Sequence, residues 1–531
     1  MFKKKMLFPK MVIAAVTIFM LLLPVSQIFS QTVTINWDQV RQEIDGFGAS
    51  AAFRQADDLK AFPVAERTKI LDLLFSQTSG IGLSIVRNMV GDGSMSEWGN
   101  SIDGPVDTIE PQRGTWNYNA VDEQIWFMQE ATTRGCTRFM STVWSPPRWM
   151  KTNNSCINGG SVNTSSYSDF ADYLANYTTE YLKNRNGITL YAISVANEPN
   201  LSTGYSSCQW SADQFRNFVK NNLGPKFRNS GITTKIMVGE QSDWTESPAV
   251  TLLNDSQGVQ YLDIVAAHNY NNSSYNAFTT SKSKNKKVWE TEVSNLGDND
   301  SSMTDGMKWA KQIHDFMINA EGNAWLYWWA ICYKVNPAKG EGLININTSN
   351  KTWYTNKRLY TMGNYSRFIR PGWYRISTST SNINGIRISA YKDSTTGAFA
   401  VVAINESGSS QNLQFSFSGN TVDTVTPYVT SASSDLAKQA DITASAGVFR
   451  ATLAGYSVTT FAGGASSGLL GDANGDGTVN IIDALMIAQY SVGLNPAGFM
   501  AANADVNSDG QINIVDALRV AQYYVGIIPS L

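Results

Sequence analysis

Between about residue 45 and residue 370, short apolar runs alternate with longer amphipathic stretches. Eight runs read as strands: 44–49, 83–88, 138–143, 190–195, 235–240, 263–269, 287–292 and 324–329. Most are β-branched or aromatic and apolar on both faces, as buried parallel strands require. Helical patterns lie between many of them, for example 121–134, 168–183, 212–227 and 306–320. Eight strand–helix units over this length predict an α/β chain built on a (β/α)8 TIM barrel, residues 31–371. An open doubly wound sheet is the alternative, but no Gly-rich phosphate turn follows the first strand.

The texture changes at residue 372. Short alternating segments such as 385–391, 398–404 and 413–418 are separated by Gly, Ser, Asn and Thr clusters, which predicts an antiparallel β-sandwich side domain over 372–462. The early segment 32–37 also alternates, so residues 31–43 belong either to the barrel or to this sandwich. A Gly/Ser-rich stretch, 463–469, reads as a linker to a tail over 470–531.

The tail contains a repeat offset by 33 residues. Asp472-Ala-Asn-Gly-Asp-Gly-Thr-Val-Asn-Ile-Ile-Asp483 recurs as Asp505-Val-Asn-Ser-Asp-Gly-Gln-Ile-Asn-Ile-Val-Asp516, and a helix-like run follows each copy. Oxygen donors at loop positions 1, 3, 5 and 12, with Gly at 6, suit a hard cation such as Ca2+. The candidate ligands are Asp472, Asn474, Asp476, the Thr478 carbonyl and Asp483. In the second copy they are Asp505, Asn507, Asp509, the Gln511 carbonyl and Asp516. Position 12 is Asp where an EF-hand has Glu. One such loop could be a solvated Asp/Asn turn; two copies in register argue for metal.

The N-terminus bears on the compartment. Lys3, Lys4, Lys5 and Lys10 precede an apolar run from 11 to 24, and Ser30 follows. That order is a secretory signal peptide, residues 1–30. An uncleaved anchor is disfavoured because the run falls short of the roughly 20 residues that span a bilayer. Without those lysines the formal charge falls from −3 to −7, which offers nucleic acid no electrostatic attraction. There are only four cysteines and two histidines, with no CxxC metal spacing. A disulfide between Cys156 and Cys208 and a set of four free thiols are both compatible with export.

Barrel enzymes carry their chemistry at the C-terminal ends of the strands. The fourth run is followed by Asn197-Glu198-Pro199, and the seventh ends Trp289-Glu-Thr-Glu292. Glycoside hydrolysis needs one carboxyl group to protonate the leaving oxygen and another to attack or stabilise the oxocarbenium-like centre. A single strand-end glutamate is as readily a buried ion-pair partner; the facing pair points to catalysis without a cofactor. Glu240 is expected to act behind this pair. Alternation along the seventh strand turns Glu290 the same way as Glu292, but deeper in the barrel. With only His268 and His314 available, a Ser-His-Asp arrangement has few candidates.

A wider ordered set accompanies the glutamates: Gly46-Phe-Gly-Ala49, Arg87-Asn88, Trp144-Ser-Pro-Pro-Arg-Trp-Met-Lys151, His268-Asn-Tyr270, Trp328-Trp329 and Arg367-Phe-Ile-Arg-Pro-Gly372. Together they resemble glycoside hydrolase family 30, particularly its bacterial xylanase and glucuronoxylanase branch. The resemblance implies a retaining endo-β-1,4-xylanase with Glu198 as acid/base and Glu292 as nucleophile. It implies that Asn197 bonds the sugar 2-hydroxyl, that Trp144, Tyr270 and Trp328 line the sugar subsite, and that Arg87 orients Glu292. Glucuronoxylan-specific members carry an Arg pair after the strand-eight Trp-Trp. Here that region reads Trp328-Trp-Ala-Ile-Cys-Tyr-Lys334, which implies weak or no dependence on glucuronate side groups. Rival readings are a glucuronoxylan-specific enzyme, another family 30 β-glycosidase, and a non-catalytic carbohydrate-binding scaffold subunit.

The tail resembles a type I dockerin, the small all-α module that docks enzymes onto scaffoldin cohesins. It implies two Ca2+ ions, a cohesin partner and an extracellular, cellulosome-associated enzyme acting on xylan, free of the membrane once its leader is cleaved.

Overall fold

The structure is a computed structural model. It describes residues 31–531 except 95, 96, 98–105, 121, 297–299, 334–339, 381, 382, 384, 465–469, 475–477, 497, 498 and 508. The leader 1–30, most of the linker, Lys334, Asp476 and Gly477 therefore lie outside the described residues.

The first strand, β1 (Gln31–Glu43), does not enter the barrel. The next eight close it: β2 (Gly46–Ser50), β3 (Ile85–Met89), β4 (Arg138–Thr142), β5 (Ala192–Ser194), β6 (Lys235–Gln241), β7 (Ile264–His268), β8 (Lys287–Glu292) and β9 (Ala324–Trp329). The two strands expected at 287–292 and 324–329 have those bounds; the rest differ by up to two residues at an end. Ile85, Met140, Met237, Ile264, Trp289 and Leu326 fill the barrel interior. Alternate residues such as Val86, Phe139, Ile193 and Val265 pack outward in the larger core that includes the helices. Both faces of each strand are thus buried, which explains the unbroken apolar runs.

Three barrel pairings skip one residue near the C-terminal ends. Gln241 follows Gly239 in register with β7, Glu292 follows Glu290 in register with β7, and Trp329 follows Tyr327 in register with β2. The extra residues are Glu240, Thr291 and Trp328. Such bulges break the in–out alternation and re-aim the side chains beyond them.

The helices expected as single runs over 168–183, 212–227 and 306–320 are interrupted by wider π-type turns at Tyr177–Arg185, Val219–Leu223 and Phe316–Ala320. Next to the second of these, Gly224-Pro225 opens the helix Gly224–Asn229. Pro225 has no N–H to donate back along the helix, so the regular ladder cannot run through it.

A small sheet of β10 (Ile331–Cys332), β11 (Ile344–Asn347) and β12 (Thr352–Thr355) follows the barrel. The side domain then adds β13 (Tyr374–Thr380), β14 (Ile386–Lys392), β15 (Phe399–Asn405), β16 (Gln411–Ser418), β17 (Thr424–Ser431), β18 (Ser434–Lys438), β19 (Ile442–Thr443), β20 (Val448–Leu453) and β21 (Ser457–Gly463). Their hydrogen-bonded order is β18-β17-β21-β15-β14-β13-β1-β16-β20, with β19 beside β17. β1 therefore belongs to the side domain. It lies antiparallel to β13, with Ile35 opposite Thr378, and parallel to β16, with Val33 opposite Phe415. The sheet doubles back on itself: Phe415 on β16 stacks on Phe449 at 4.7 Å and meets Phe461 on β21 at 5.0 Å.

Helix Lys357–Ser366 joins barrel to sheet. Asn364 donates to the Tyr428 carbonyl and the Thr460 hydroxyl, each at 3.0 Å. A β-carbon on Gly363 would stand 2.8 Å from Ile81 and 2.9 Å from Leu436, so a larger residue here would have to displace both side chains. In the tail, helices Ile481–Ser491 and Ile514–Tyr524 each start from an asparagine cap, Asn480 and Asn513, and close over Ala473, Ile487, Val506 and Val520. All four cysteines are free and buried; Cys156 and Cys208 are not bonded to each other.

Candidate active site

Glu198 is held by backbone on both sides. The Asn197 N–H donates to the Val143 carbonyl and the Glu198 N–H to the Glu240 carbonyl, each at 2.8 Å. This pins the segment after β5 between the ends of β4 and β6. Glu198 and Glu240 both adopt left-handed backbone, with φ of 42° and 50°. That conformation costs a non-glycine residue on the order of 1–3 kcal/mol and persists only where neighbours enforce it.

Arg87 organises the carboxylates. It is fully buried on β3, and its guanidinium donates to Glu292 Oε2 at 2.6 Å, Asn197 Oδ1 at 2.7 Å and Thr142 Oγ1 at 3.1 Å. Glu240 Oε1 lies 3.3 Å from its Nε. Burial opposes the Arg87 charge, yet Glu240 and Glu292 raise its pKa overall. The cation sits against the Trp144 ring at 4.4 Å and nearer the mouth Trp328 at 5.6 Å.

Glu292 accepts a second bond, from the Tyr270 hydroxyl to Oε1 at 2.9 Å. Burial pushes its carboxyl above the usual range, while His268 and Arg87 pull it down and Glu198 adds to the rise. Burial and Glu292 hold the Tyr270 hydroxyl protonated. The His268 ring bridges the pair, with Nδ1 3.3 Å from Glu198 Oε1 and Nε2 3.9 Å from Glu292 Oε2. Donor atoms of Glu198, His268 and Glu292 all fall within 4.8 Å of one another.

These groups open into a cleft of about 510 Å³ lined by Glu198, Glu292, Asn197, Trp144, Tyr270 and Trp328, among others. The structure thus brings together Glu198, Glu292, Asn197, Trp144, Tyr270 and Trp328, with Arg87 bonded to two of them. It also adds members. His268 stood within a recognised motif without a role, Thr142 carried no signal at all, and Phe53 and Tyr205 reach the cleft from loops.

One expectation is corrected. Glu290 does not point the same way as Glu292. Trp289 faces the barrel interior, and the Thr291 bulge resets alternation so that Glu292 faces the mouth. Glu290 turns outward, where the Tyr275 hydroxyl donates to it at 3.1 Å and Tyr275 packs on Phe316. Burial lifts the Glu290 carboxyl well above its ordinary range, which favours its neutral form.

In the tail, Asp483 closes the first loop, accepting from the Asn474 and Asn480 N–H groups at 3.0 and 2.8 Å. Asp516 closes the second, accepting from Val506 at 3.0 Å and Asn513 at 2.9 Å. Asp505 accepts from the Asp509 and Gly510 N–H groups. Asp472, Asp483 and Asp516 are buried. Burying carboxylates is costly without positive charge nearby, and the described loop residues offer oxygen donors, so they fit a hard cation.

Comparison with known proteins agrees with this geometry. The model of O-glycosyl hydrolase family 30 matches residues 30–275. The structure of a family 30 subfamily 8 xylanase, Xyn30A, from Clostridium acetobutylicum is 30% identical, with a TM-score of 0.67 over 82% of this chain and 100% of that one. The chain belongs to glycoside hydrolase family 30. Two further family 30 likenesses extend over the same part of the chain. The catalytic domain of GH30 xylanase C from Talaromyces cellulolyticus is 29% identical, with a TM-score of 0.70 over 81% of this chain and 99% of that one. Glucuronoxylanase XynC of Bacillus subtilis (strain 168) is 28% identical over 442 residues, 81% of this chain and 91% of its own length. The family 30 enzyme also carries a type I dockerin domain, matched over residues 470–524. Among the described residues, no helix is long and apolar enough to cross a membrane.

Proposed function

We propose that the chain hydrolyses the β-1,4-linked backbone of xylan internally and with retention of configuration. The observation that carries this reading is the close approach of two carboxylates, with oxygens of Glu198 and Glu292 within 4.8 Å across an aromatic-walled cleft. Retaining glycosidases hold their carboxyl groups about 5–5.5 Å apart, whereas inverting ones need room for a water between them. Glu292, fixed by Arg87 and Tyr270, attacks the anomeric carbon as Glu198 gives its proton to the departing glycosidic oxygen. Glu198, now ionised, takes a proton from the water that cleaves the glycosyl ester. Asn197, oriented by Arg87, bonds the 2-hydroxyl, and Trp144, Tyr270 and Trp328 line the sugar's subsite.

The xylanase and glucuronoxylanase relatives support xylan as the polymer. The lack of Arg in Trp328–Lys334 supports a reading without strict glucuronate dependence, because a carboxylate clamp prefers the bidentate guanidinium fork. The dockerin supports a secreted, cellulosome-associated enzyme that engages a cohesin. Each of its loops holds one Ca2+, through Asp472, Asn474, Asp476, Thr478 and Asp483 and through Asp505, Asn507, Asp509, Gln511 and Asp516.

Glu198→Ala with an activated aryl xylobioside and added azide tests the chemistry. The expected product is the β-glycosyl azide; an α-azide, or undiminished hydrolysis of xylan by Glu198→Ala, refutes the assignment. Rates on linear xylan and glucuronoxylan test the substrate. Products that always carry glucuronate near the new end overturn the independence reading.

A further inference from the structure

The cleft has two unlike walls. Phe53, Trp144 and Trp328 pack together on one side, with ring centroids 5.2–6.0 Å apart, around the cation that holds Glu292. The other side is built on the loop leaving β5, from which Leu201 and Tyr205 face the cleft beside Glu198.

That loop is fixed in place. The Leu201 N–H donates to the Glu198 carbonyl at 2.9 Å, and Trp210 donates to the Pro199 carbonyl at 3.2 Å. The loop also pairs with the segment after β4. Asn158 donates to the Thr203 carbonyl, Ser207 to the Cys156 carbonyl and Gln209 to the Gly160 carbonyl, at 2.7, 2.9 and 2.7 Å, with Ile157 bridged to Ser206. Lys151, itself 2% exposed, donates to the Ser207 carbonyl at 2.5 Å. Tyr205 therefore stands on a clasped loop, still 37% exposed, on the acid's side of the cleft.

We propose that Tyr205 forms the leaving-group wall of the site, its ring seating the sugar unit that departs when Glu198 protonates the glycosidic oxygen. This rests on Glu198 being the acid, because the acid marks the side from which the leaving group departs. An aromatic face offers a large apolar contact at little conformational cost. The hydroxyl, kept protonated by burial and the two glutamates, hydrogen-bonds Glu198, and the side chain lines the cleft.

The test uses Tyr205→Ala and Tyr205→Phe in the full chain, with two substrates. Xylohexaose places a sugar on this wall; β-xylobiosyl fluoride has a single departing atom that cannot reach it. Tyr205→Ala is expected to lower kcat/KM on xylohexaose about tenfold, or about 1.4 kcal/mol, and to leave the fluoride within about twofold. Tyr205→Phe, which keeps the ring but loses the hydroxyl's bond to Glu198, is expected to lose clearly less than Tyr205→Ala on xylohexaose. Equal losses on the two substrates, or a Phe variant as impaired on xylohexaose as the Ala variant, overturn the proposal. The azide experiment on Glu198→Ala is independent of these rates. A normal β-azide product together with equal losses removes the Tyr205 wall alone, whereas an α-azide product removes the acid assignment.

Discussion

Replacing Arg87 by methionine tests the electrostatic logic of the site. The guanidinium is fully buried and touches Glu292 at 2.6 Å, Asn197 at 2.7 Å, Thr142 at 3.1 Å and Glu240 at 3.3 Å. Methionine fills part of the volume but leaves two buried carboxylates without their cation. Breaking a buried pair from one side costs about 3–5 kcal/mol. If that loss falls on the transition state, kcat/KM drops between about 10² and about 10⁴.

The pH dependence gives the sharper reading. Arg87 pulls the Glu292 carboxyl down against burial, so its removal moves the folded pKa further up. The acid limb of kcat/KM, which reports the nucleophile in the free enzyme, then shifts to higher pH. A carboxyl whose folded pKa is raised contributes stability below its unfolded pKa and loses it as pH rises through the folded one. The variant's deficit is therefore smallest in acid and grows toward neutral pH. Denaturant melts across pH and a pH–rate profile on xylan measure both effects, with Arg87→Lys as a variant that retains charge but not the fork. A folded Arg87→Met enzyme whose acid limb stays put, or moves to lower pH, refutes the role given to this cation.

Three further outcomes are expected from the same structure. Tyr270→Phe removes a hydrogen bond to a charged carboxylate, worth about 1.5–3 kcal/mol, and should lower kcat/KM by about 10- to 150-fold; an unchanged rate counts against the 2.9 Å contact with Glu292. Glu290→Gln should retain activity and become progressively more stable relative to the parent as pH rises, because the raised Glu290 pKa makes the parent lose stability as its proton leaves. Parallel pH–stability curves would show Glu290 to be no neutral acid. Exhaustive chelation should melt the tail's helices by circular dichroism and abolish cohesin binding while hydrolysis of soluble xylan persists; intact binding without Ca2+ excludes the metal role of Asp505 and Asp516.

The barrel was legible because its strands are buried on both faces, which leaves long apolar runs in the chain. Glu198 and Glu292 could be found because each stands at or just beyond a strand end. Two kinds of information stayed out of reach. The helices broken at Tyr177 and Val219 keep an apolar periodicity close to that of a regular helix, and a widened turn hardly disturbs it. The direction of Glu290 depended on a bulge, and an extra residue has no composition of its own: Thr291 looks like any strand threonine. The place of β1 was half visible. Val33 and Ile35 alternate as a sheet strand should, but its parallel partner β16 lies nearly four hundred residues away, and pairing at that separation leaves no local mark.

The bulges at Glu240, Thr291 and Trp328 separate two lengths of strand that would otherwise share one phase. Below them, side chains interlock as barrel layers; above them, side chains face the cleft. Exchanging one residue for another beyond the bulges leaves that phase intact, so the mouth can be varied widely by substitution. Were Thr291 to take an ordinary place in the ladder instead of bulging, simple alternation would turn Glu292 toward the helices. For anyone recombining loops from related enzymes onto this scaffold, the safe crossover points lie outside each bulge, so that the bulge travels whole with the side chain it aims.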